Sequence, residues 1–427
     1  MKNILILNCF VVLLLFNSIE VKSAGQDTIY VSTVNGNDLN DGFSVSNALK
    51  TITKAIEKAY PGHTIIVAAG MYNEELIPIR SGKPDSLICF LADTAGKYFS
   101  GYVGPVIING NSTLNYGFNL TDRSYIAIKG FSFDYHMTQP ILINAQNTYV
   151  SNIIIEKCKF SNWAMNTSTA DSSAILINSN TGYSVKNINI LGNLFDNTTS
   201  SKGSKTIALK GIDNRNIDIA KNTFLMNSNV NVCIFLYGYN NNISISQNQL
   251  YHAEKAIFYD LVADSIFITN NYIFSYNGYG IYSNVSSSNC VKIIYNTINT
   301  YNYNCIRFNY SAENVVLVNN ILNSEYNLPL YVSTGLLTAC DFNLYKSGST
   351  DIVRYEGNLF SLHNFKNIDH VIGTSNGDEH SIQDDPFFVQ PNSFILQNTS
   401  HAIDSATVID STSYGIVVNK DITGKPR

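Results

Sequence analysis

Charge is scarce in this sequence. Asp, Glu, Lys and Arg make up 14% of its 427 residues, with 27 basic side chains against 32 acidic. A thin, mildly acidic surface of this kind argues against a nucleic-acid partner, which calls for a gathered basic face. Long apolar runs are scarce too. The longest, Ile4 to Phe16, is thirteen residues and falls short of the ~20 needed to cross a membrane. With Lys2 before it and the small residues Ser23 and Ala24 after it, residues 1–24 read as a secretory signal. The mature chain is therefore expected outside the cytoplasm, whether extracellular, at the cell surface or in a periplasm, with no transmembrane segment. Losing Lys2, Lys22 and Glu20 moves the net charge from −5 to −6. The helix formers Lys, Glu and Ala are sparse, whereas Tyr, Phe, Asn, Ile and Ser abound, which favours strands. Six cysteines follow the signal and are read as buried free thiols rather than disulfides. The few histidines show no ligand spacing.

What is present is a repeat. The pattern apolar-x-apolar-x-x-Asn-x-apolar occurs as INILGNLF from Ile188, IDIAKNTF from Ile217 and ISISQNQL from Ile243. It continues as IFITNNYI from Ile266, VKIIYNTI from Val291 and VVLVNNIL from Val315. Its asparagines are Asn193, Asn222, Asn248, Asn271, Asn296 and Asn320, with an extension to Asn343. Between these copies runs a second series: PILIN, AILIN, TIALK, CIFLY, AIFYD, GIYSN, CIRFN and PLYVS. In the later part of the chain the whole unit returns every ~24 residues, too short a unit to bury its own apolar face, so neighbours must stack. Stacked identical strands pair in parallel and give an all-β, right-handed parallel β-helix. At least two strands per coil are expected. The Asn row is expected at a turn, where asparagine tolerates left-handed backbone angles and its amide can bond the next coil. A leucine-rich repeat would show leucine where Ile, Val and Phe stand, and would leave the second series unexplained.

The ends must differ from the middle, because an open stack of strands needs caps. Ala48, Ile52, Ala55, Ile56 and Ala59 mark a short amphipathic helix stopped by Pro61-Gly62, a natural N-terminal cap. The solenoid with this cap is assigned to residues 25–346, and a loop-rich closing segment of the same domain to 347–427. In GNDLNDG, Asp38 and Asp41 read as turn residues, with Ca²⁺ binding the alternative; in GDEHSIQDDP, Asp378, His380 and Asp385 suggest a metal.

The opening IYVSTVNGNDLNDGFSVSNALKTITKAIEKAYPGHTIIVAAGMYNE resembles the N-terminal cap of secreted pectate-lyase-like parallel β-helix proteins. The ending, SFILQNTSHAIDSAT followed by DITGKPR, resembles the close of β-helix proteins labelled choice-of-anchor Q. Such proteins usually continue past the Lys-Pro-Arg into another strand motif and an anchor, whereas this sequence stops at Arg427. The family pattern implies a structural role for Asp378, His380 and Asp385. The resemblance implies the fold and export; lyases, hydrolases, epimerases and binding-only proteins share it. Lyases of the chondroitinase B and alginate lyase type place a Lys at the end of one such strand and Arg-His on the next coil. Here Lys210 keeps the first, while Leu236 and Tyr237 stand in place of the pair. The acidic calcium cluster of several pectate lyase families is not visible.

Strand alternation puts one face of the second series outside. That face carries Leu142, Leu176, Ala208, Phe235, Phe258, Tyr282, Arg307 and Tyr331, with Lys210, Tyr237 and Asp260 two residues further along their strands. Aromatic rings stack on sugar C–H faces, and amides and charges bond hydroxyls or carboxylates, so the stripe suits an extracellular polysaccharide. Loops of greater length, holding Trp163, Asp171, Asp196, Lys202 and Lys205, are expected to wall the stripe beside Leu176, Ala208 and Phe235. A β-elimination on a uronate would use Lys210 as base, its pKa lowered by Lys205, and Tyr237 as acid. Asp260, Asp196 or Asp171 would hold a Ca²⁺ against the substrate carboxylate. Glycoside hydrolysis would need two facing carboxylates, for which Asp260 and Asp196 are the nearest pair. The expectation is a monomeric, polysaccharide-engaging β-helix protein: a lyase, or alternatively a non-catalytic carbohydrate-binding or adhesive surface protein.

Overall fold

The computed structural model describes residues 27–165, 172–198, 205–227, 232–260, 263–285, 290–371, 377–390, 395–403 and 405–407. The leader expected at 1–24 and the terminal DITGKPR lie outside them. Almost every strand pairs in parallel with its counterpart one coil away, in two 12-stranded sheets and one 11-stranded sheet. This is the expected right-handed parallel β-helix. Each regular coil has three strands, one more than the two series gave. The Asn-bearing pattern folds as two of them, such as Asn214–Ala220 in the first sheet and Thr223–Met226 in the second, with Asn222 at the corner between. The second series forms the third sheet, for example Lys205–Gly211, Val232–Tyr237 and Lys255–Asp260.

Register follows the apolar pattern. Ile188, Ile217, Ile243 and Ile266 align in the first sheet, and Ile207, Ile234, Ile257 and Ile281 in the third. All are buried. In the second sheet Phe133, Phe160, Phe195 and Phe224 stack face to face, with centroids 5.0, 4.8 and 4.8 Å apart. Strand spacing of ~4.8 Å is itself a good ring-stacking distance, so parallel register and aromatic packing reinforce each other.

The corner asparagines form one continuous buried ladder. From Asn193 to Asn343, each Oδ1 accepts the backbone N–H and the side-chain N–H of the Asn one coil earlier, at 2.9–3.1 Å. The first, Asn193, receives only the backbone N–H of Cys158, which stands at the same corner. Each Nδ2 also donates to a backbone carbonyl of the earlier coil at 2.7–3.0 Å. Beyond Asn343 the row ends on the Ser381 hydroxyl, which takes its N–H at 2.9 Å. One expectation is corrected. The left-handed residue is the one before the ladder position (Gly192, Lys221, Gln247, Asn270, Tyr295, Asn319 and Phe342, φ 54–62°), not the ladder Asn. Asparagines with left-handed angles occur at a different corner, where Asn152, Asn187, Asn216 and Asn242 have φ 53–58°. There Asn216 donates to Asn187 and Asn242 to Asn216 on the surface.

The helix spans Ile52–Lys58, with Thr51 as N-cap and Ile52, Ala55 and Ile56 buried. Ala48 and Ala59 flank it rather than belong to it, though both are buried. All six described cysteines are free, as expected. At the far end the antiparallel strand Asn358–Phe360 closes the third sheet, and Ile382–Gln383 is the last strand of the second. Among the described residues no helix is long and apolar enough to cross a membrane.

Candidate functional site

The outer face of the third sheet carries the expected row in register. Leu142, Leu176, Ala208, Phe235, Phe258, Tyr282, Arg307 and Tyr331 pair one to the next along eight coils. Its two halves differ. Leu142, Leu176 and Ala208 are buried and cluster with Tyr116 and Phe235, so the face is covered where a cleft wall was expected. From Phe235 onward the rings are half-buried, and Tyr237 is the most open at 37% exposure.

Cations interleave the rings. Lys205 Nζ lies 5.0 Å from the Phe235 centroid, and Lys255 Nζ lies 5.6 Å from Phe258 and 5.4 Å from Tyr282. The Arg307 guanidinium lies 4.1 Å over Tyr331 and 5.7 Å from Tyr279. It also donates to Asn309 Oδ1, while its Nε is buried with no partner. Arg307 is thus held by the flanking tyrosines as a cation on the face. The rings touch one another as well: Phe235–Phe258 at 5.1 Å, Phe258–Tyr282 at 5.4 Å and Phe235–Tyr237 at 5.8 Å.

Sequence reasoning missed Lys255 and Tyr279, and did not place Lys205 on the face. They occupy the opening position of their strands, where strict alternation points a side chain inward. The pairing skips Thr206, Cys233, Ala256 and Gly280, and these four are buried instead. Alternation breaks there, and Lys205, Lys255 and Tyr279 turn to the face, whereas Val232, before Cys233, is buried. A polar residue before a small one, two positions ahead of the aligned Ile, was the available signal.

The acid–base candidates fall one per coil on one edge of this face. Tyr237 pairs with Asp260, Lys210 follows Leu209 in the coil before, and Asn284 donates to Asp260 at 3.3 Å. Three expectations fail on geometry. Lys205 cannot tune Lys210: the two bound the strand Lys205–Gly211, five residues and about 16 Å apart along the backbone. Asp196 is on the second sheet, paired with Lys159 at 3.7 Å and bonded by Thr198, so it neither faces Asp260 nor joins a site with it. Trp163 does not stand in a wall. It is fully buried against Phe195, its indole N–H donating to the Lys205 carbonyl at 2.9 Å. Asp171 and Lys202 lie outside the described residues. Among those described, no Asp on this face belongs to a group of three Cys, His, Asp or Glu ligand atoms.

The other acidic stretches are structural. Asp38 accepts from the Lys50 and Thr51 backbones, and Asp41 from that of Phe43. Asp378, His380 and Asp385 do not converge: Asp378 is buried, His380 pairs with Asp341 and Asp385 with Lys346.

Residues 235–337 match the family described as NosD, periplasmic copper-binding protein. Among the described residues of that stretch no three Cys, His, Asp or Glu ligand atoms gather. No curated protein matches the chain. Among solved structures, a GH136 lacto-N-biosidase from Eubacterium ramulus is similar at 12% identity and TM-score 0.57 over 77% of this chain. The chain spans 63% of that enzyme's length. The pectate lyase Pel9A is similar at 16% identity and TM-score 0.52, covering 94% of this chain and 96% of its own. A glycoside hydrolase is similar at 10% identity and TM-score 0.51, covering 77% and 95%. At these identities the likeness is one of fold: all share the parallel β-helix seen here.

Proposed function

We propose that this protein is exported and engages an extracellular polysaccharide along the outer face of its third sheet, from Phe235 to Tyr331. One observation carries the reading: Phe235, Phe258, Tyr282, Arg307 and Tyr331 stand in register on successive coils, with Lys205, Lys255 and Arg307 over the rings. A row repeating every ~4.8 Å offers ring faces and edges to sugar C–H groups over several residues of an extended chain. The interleaved cations favour glycans that carry carboxylates. The periplasmic description of the partly matching family and the carbohydrate-active names of similar folds agree with this reading. A signal-like leader agrees with export.

A second reading, catalysis by β-elimination, is favoured by Lys210, Tyr237 and Asp260 falling one per coil on one edge of that face. Lys210 would take the proton next to a uronate carboxylate, and Tyr237 would protonate the departing glycosidic oxygen. Asp260 would hold the sugar by its hydroxyls. Added Ca²⁺ would act by neutralising the substrate carboxylate.

A panel of uronate-containing polysaccharides, with and without Ca²⁺, followed by ultraviolet absorbance of unsaturated products, separates the readings. Retention of a glycan without product identifies a binder, and product formation that Lys210→Ala abolishes identifies the lyase. Absence of retention across uronate-containing, neutral and sulfated glycans would remove both.

A further inference from the structure

A second cluster of reactive side chains closes the far end of the solenoid, away from the aromatic face. Cys340 belongs to Ala339–Asp341, the last strand of the first sheet. His370 follows the short helix Leu362–Phe365, and Asp378 lies in the turn leading to Ile382–Gln383. Their exposures are 3%, 0% and 0%. Cys340 Sγ is 2.9 Å and His370 Nε2 is 3.3 Å from the same oxygen, Asp378 Oδ2. All three ligand atoms lie within 4.8 Å of one another.

The imidazole is decisive. His370 Nδ1 lies 3.0 Å from the Ile368 carbonyl oxygen, which can only accept, so Nδ1 carries the hydrogen. Nε2 is then the atom turned to the cluster: it is buried without a hydrogen-bond partner and faces the Asp378 carboxylate oxygen. A cation between the ring nitrogen and the carboxylate would engage both. The surroundings hold the ring in that pose. Phe365 stacks on it at 3.8 Å, and a Cβ at Gly377 would come within 2.5 Å of Nε2. The other Asp378 oxygen is fixed by the Tyr345 and Ser381 hydroxyls, the kind of outer support that orients a ligating carboxylate.

We propose that Cys340, His370 and Asp378 form a structural zinc site that staples the last coil to the closing segment. One thiolate, one imidazole and one carboxylate make a mixed soft and hard donor set, which suits Zn²⁺ and not the all-oxygen preferences of Ca²⁺ or Mg²⁺. Two anionic donors and a neutral imidazole balance the ion, leaving a buried site with no net charge. Zn–S of ~2.3 Å and Zn–N or Zn–O of ~2.0 Å set donor separations near ~3.3–3.8 Å, which small side-chain shifts reach from the spacings here. The Tyr345 hydroxyl, 3.5 Å from Sγ, is placed to supply the fourth ligand. The ion enters as the chain folds, with loss of the Cys340 proton.

The test uses the full mature chain, unfolded in guanidinium with chelator and refolded with Zn²⁺, Co²⁺ or neither. After gel filtration the zinc-refolded protein should carry one equivalent per chain. X-ray absorption at the zinc edge should show a single sulfur neighbour, and the cobalt form a thiolate charge-transfer band. Protein refolded without metal should melt at a lower temperature. Cys340→Ser and His370→Gln should each lower zinc content at least tenfold; if either fails to fold, the sulfur count of the wild-type protein decides. Less than a tenth of an equivalent, no sulfur neighbour, or zinc retained by both variants would overturn the site.

Discussion

Asn248 sits mid-ladder, its Oδ1 taking two hydrogen bonds from Asn222 and its Nδ2 giving two, to the Ile219 carbonyl and to Asn271. Asn248→Ala leaves the Asn222 donors without an acceptor in a buried corner. At about 1–3 kcal/mol for each stranded group, the expected loss is at least about 3 kcal/mol, read from the urea midpoint. Asn248→Asp keeps the acceptor but loses both donations and buries a charge, so it should cost as much or more at neutral pH and recover partly in acid. The ladder itself was legible because the spacing repeats without error. Its backbone role was not, since the seven left-handed residues ahead of it, from Gly192 to Phe342, are of six types. Trp163 was illegible for a related reason: position in a long connection says nothing of an indole that turns inward to bond Lys205. His136 gives the second prediction at this scale. Burial depresses its pKa to about 4, and neither ring nitrogen has a partner. Its neutral form is the folded form, so its contribution is complete above pH ~6.5, fades as pH falls towards ~4, and changes no further below that. The window is worth about 3 kcal/mol. The wild-type minus His136→Leu difference in midpoint should therefore fall as pH drops between those values; a difference that does not change with pH would show that the imidazole is solvated.

Among elements, the third sheet separates binding from stability. Tyr237 is the most open ring of the row, so Tyr237→Ala should weaken glycan binding by about 1 kcal/mol and leave the unfolding midpoint nearly unmoved. Phe235 packs against the buried Leu142–Leu176–Ala208 cluster and under Lys205, so Phe235→Ala should lower both affinity and stability by about 1 kcal/mol or more. Calorimetry with a bound oligosaccharide and urea unfolding of the same variants check both. Equal loss of stability in the two variants, with no change in affinity, would make the stripe a packing device. Which residues share this face was readable from a period of two, and the register agrees residue by residue from Leu142 to Tyr331. What alternation could not supply was the break at Thr206, Cys233, Ala256 and Gly280, nor the cover over the first half of the row. Both depend on neighbours distant in sequence.

At the scale of the whole molecule, a parallel solenoid has two raw ends, and its caps decide whether it stays single. The N-terminal cap is tied on at both ends of its helix. Glu74 accepts from the Ile52 and Thr53 backbones at 3.0 and 2.8 Å, and Arg80 donates to the Glu57 and Ala59 carbonyls at 2.9 and 3.2 Å. Ile52, Ala55 and Ile56 then lie over the first coil, and Thr28–Val31 covers the edge of Thr64–Ala68. Deleting residues 27–63 would strip both. The backbone groups of Thr64–Ala68 would lose their partners on that edge while keeping those of Ile88–Asp93, and Ile65 and Val67, now fully buried, would face water. A flat, apolar strand edge recruits another, so the shortened chain should associate through its first sheet in a concentration-dependent way. The intact chain should run as a monomer. Light scattering coupled to gel filtration over a tenfold range of concentration distinguishes them. A shortened chain that stays monomeric with an unchanged melting temperature would mean the stack ends at Thr64–Ala68 without help, and that the helix is an ornament rather than a cap.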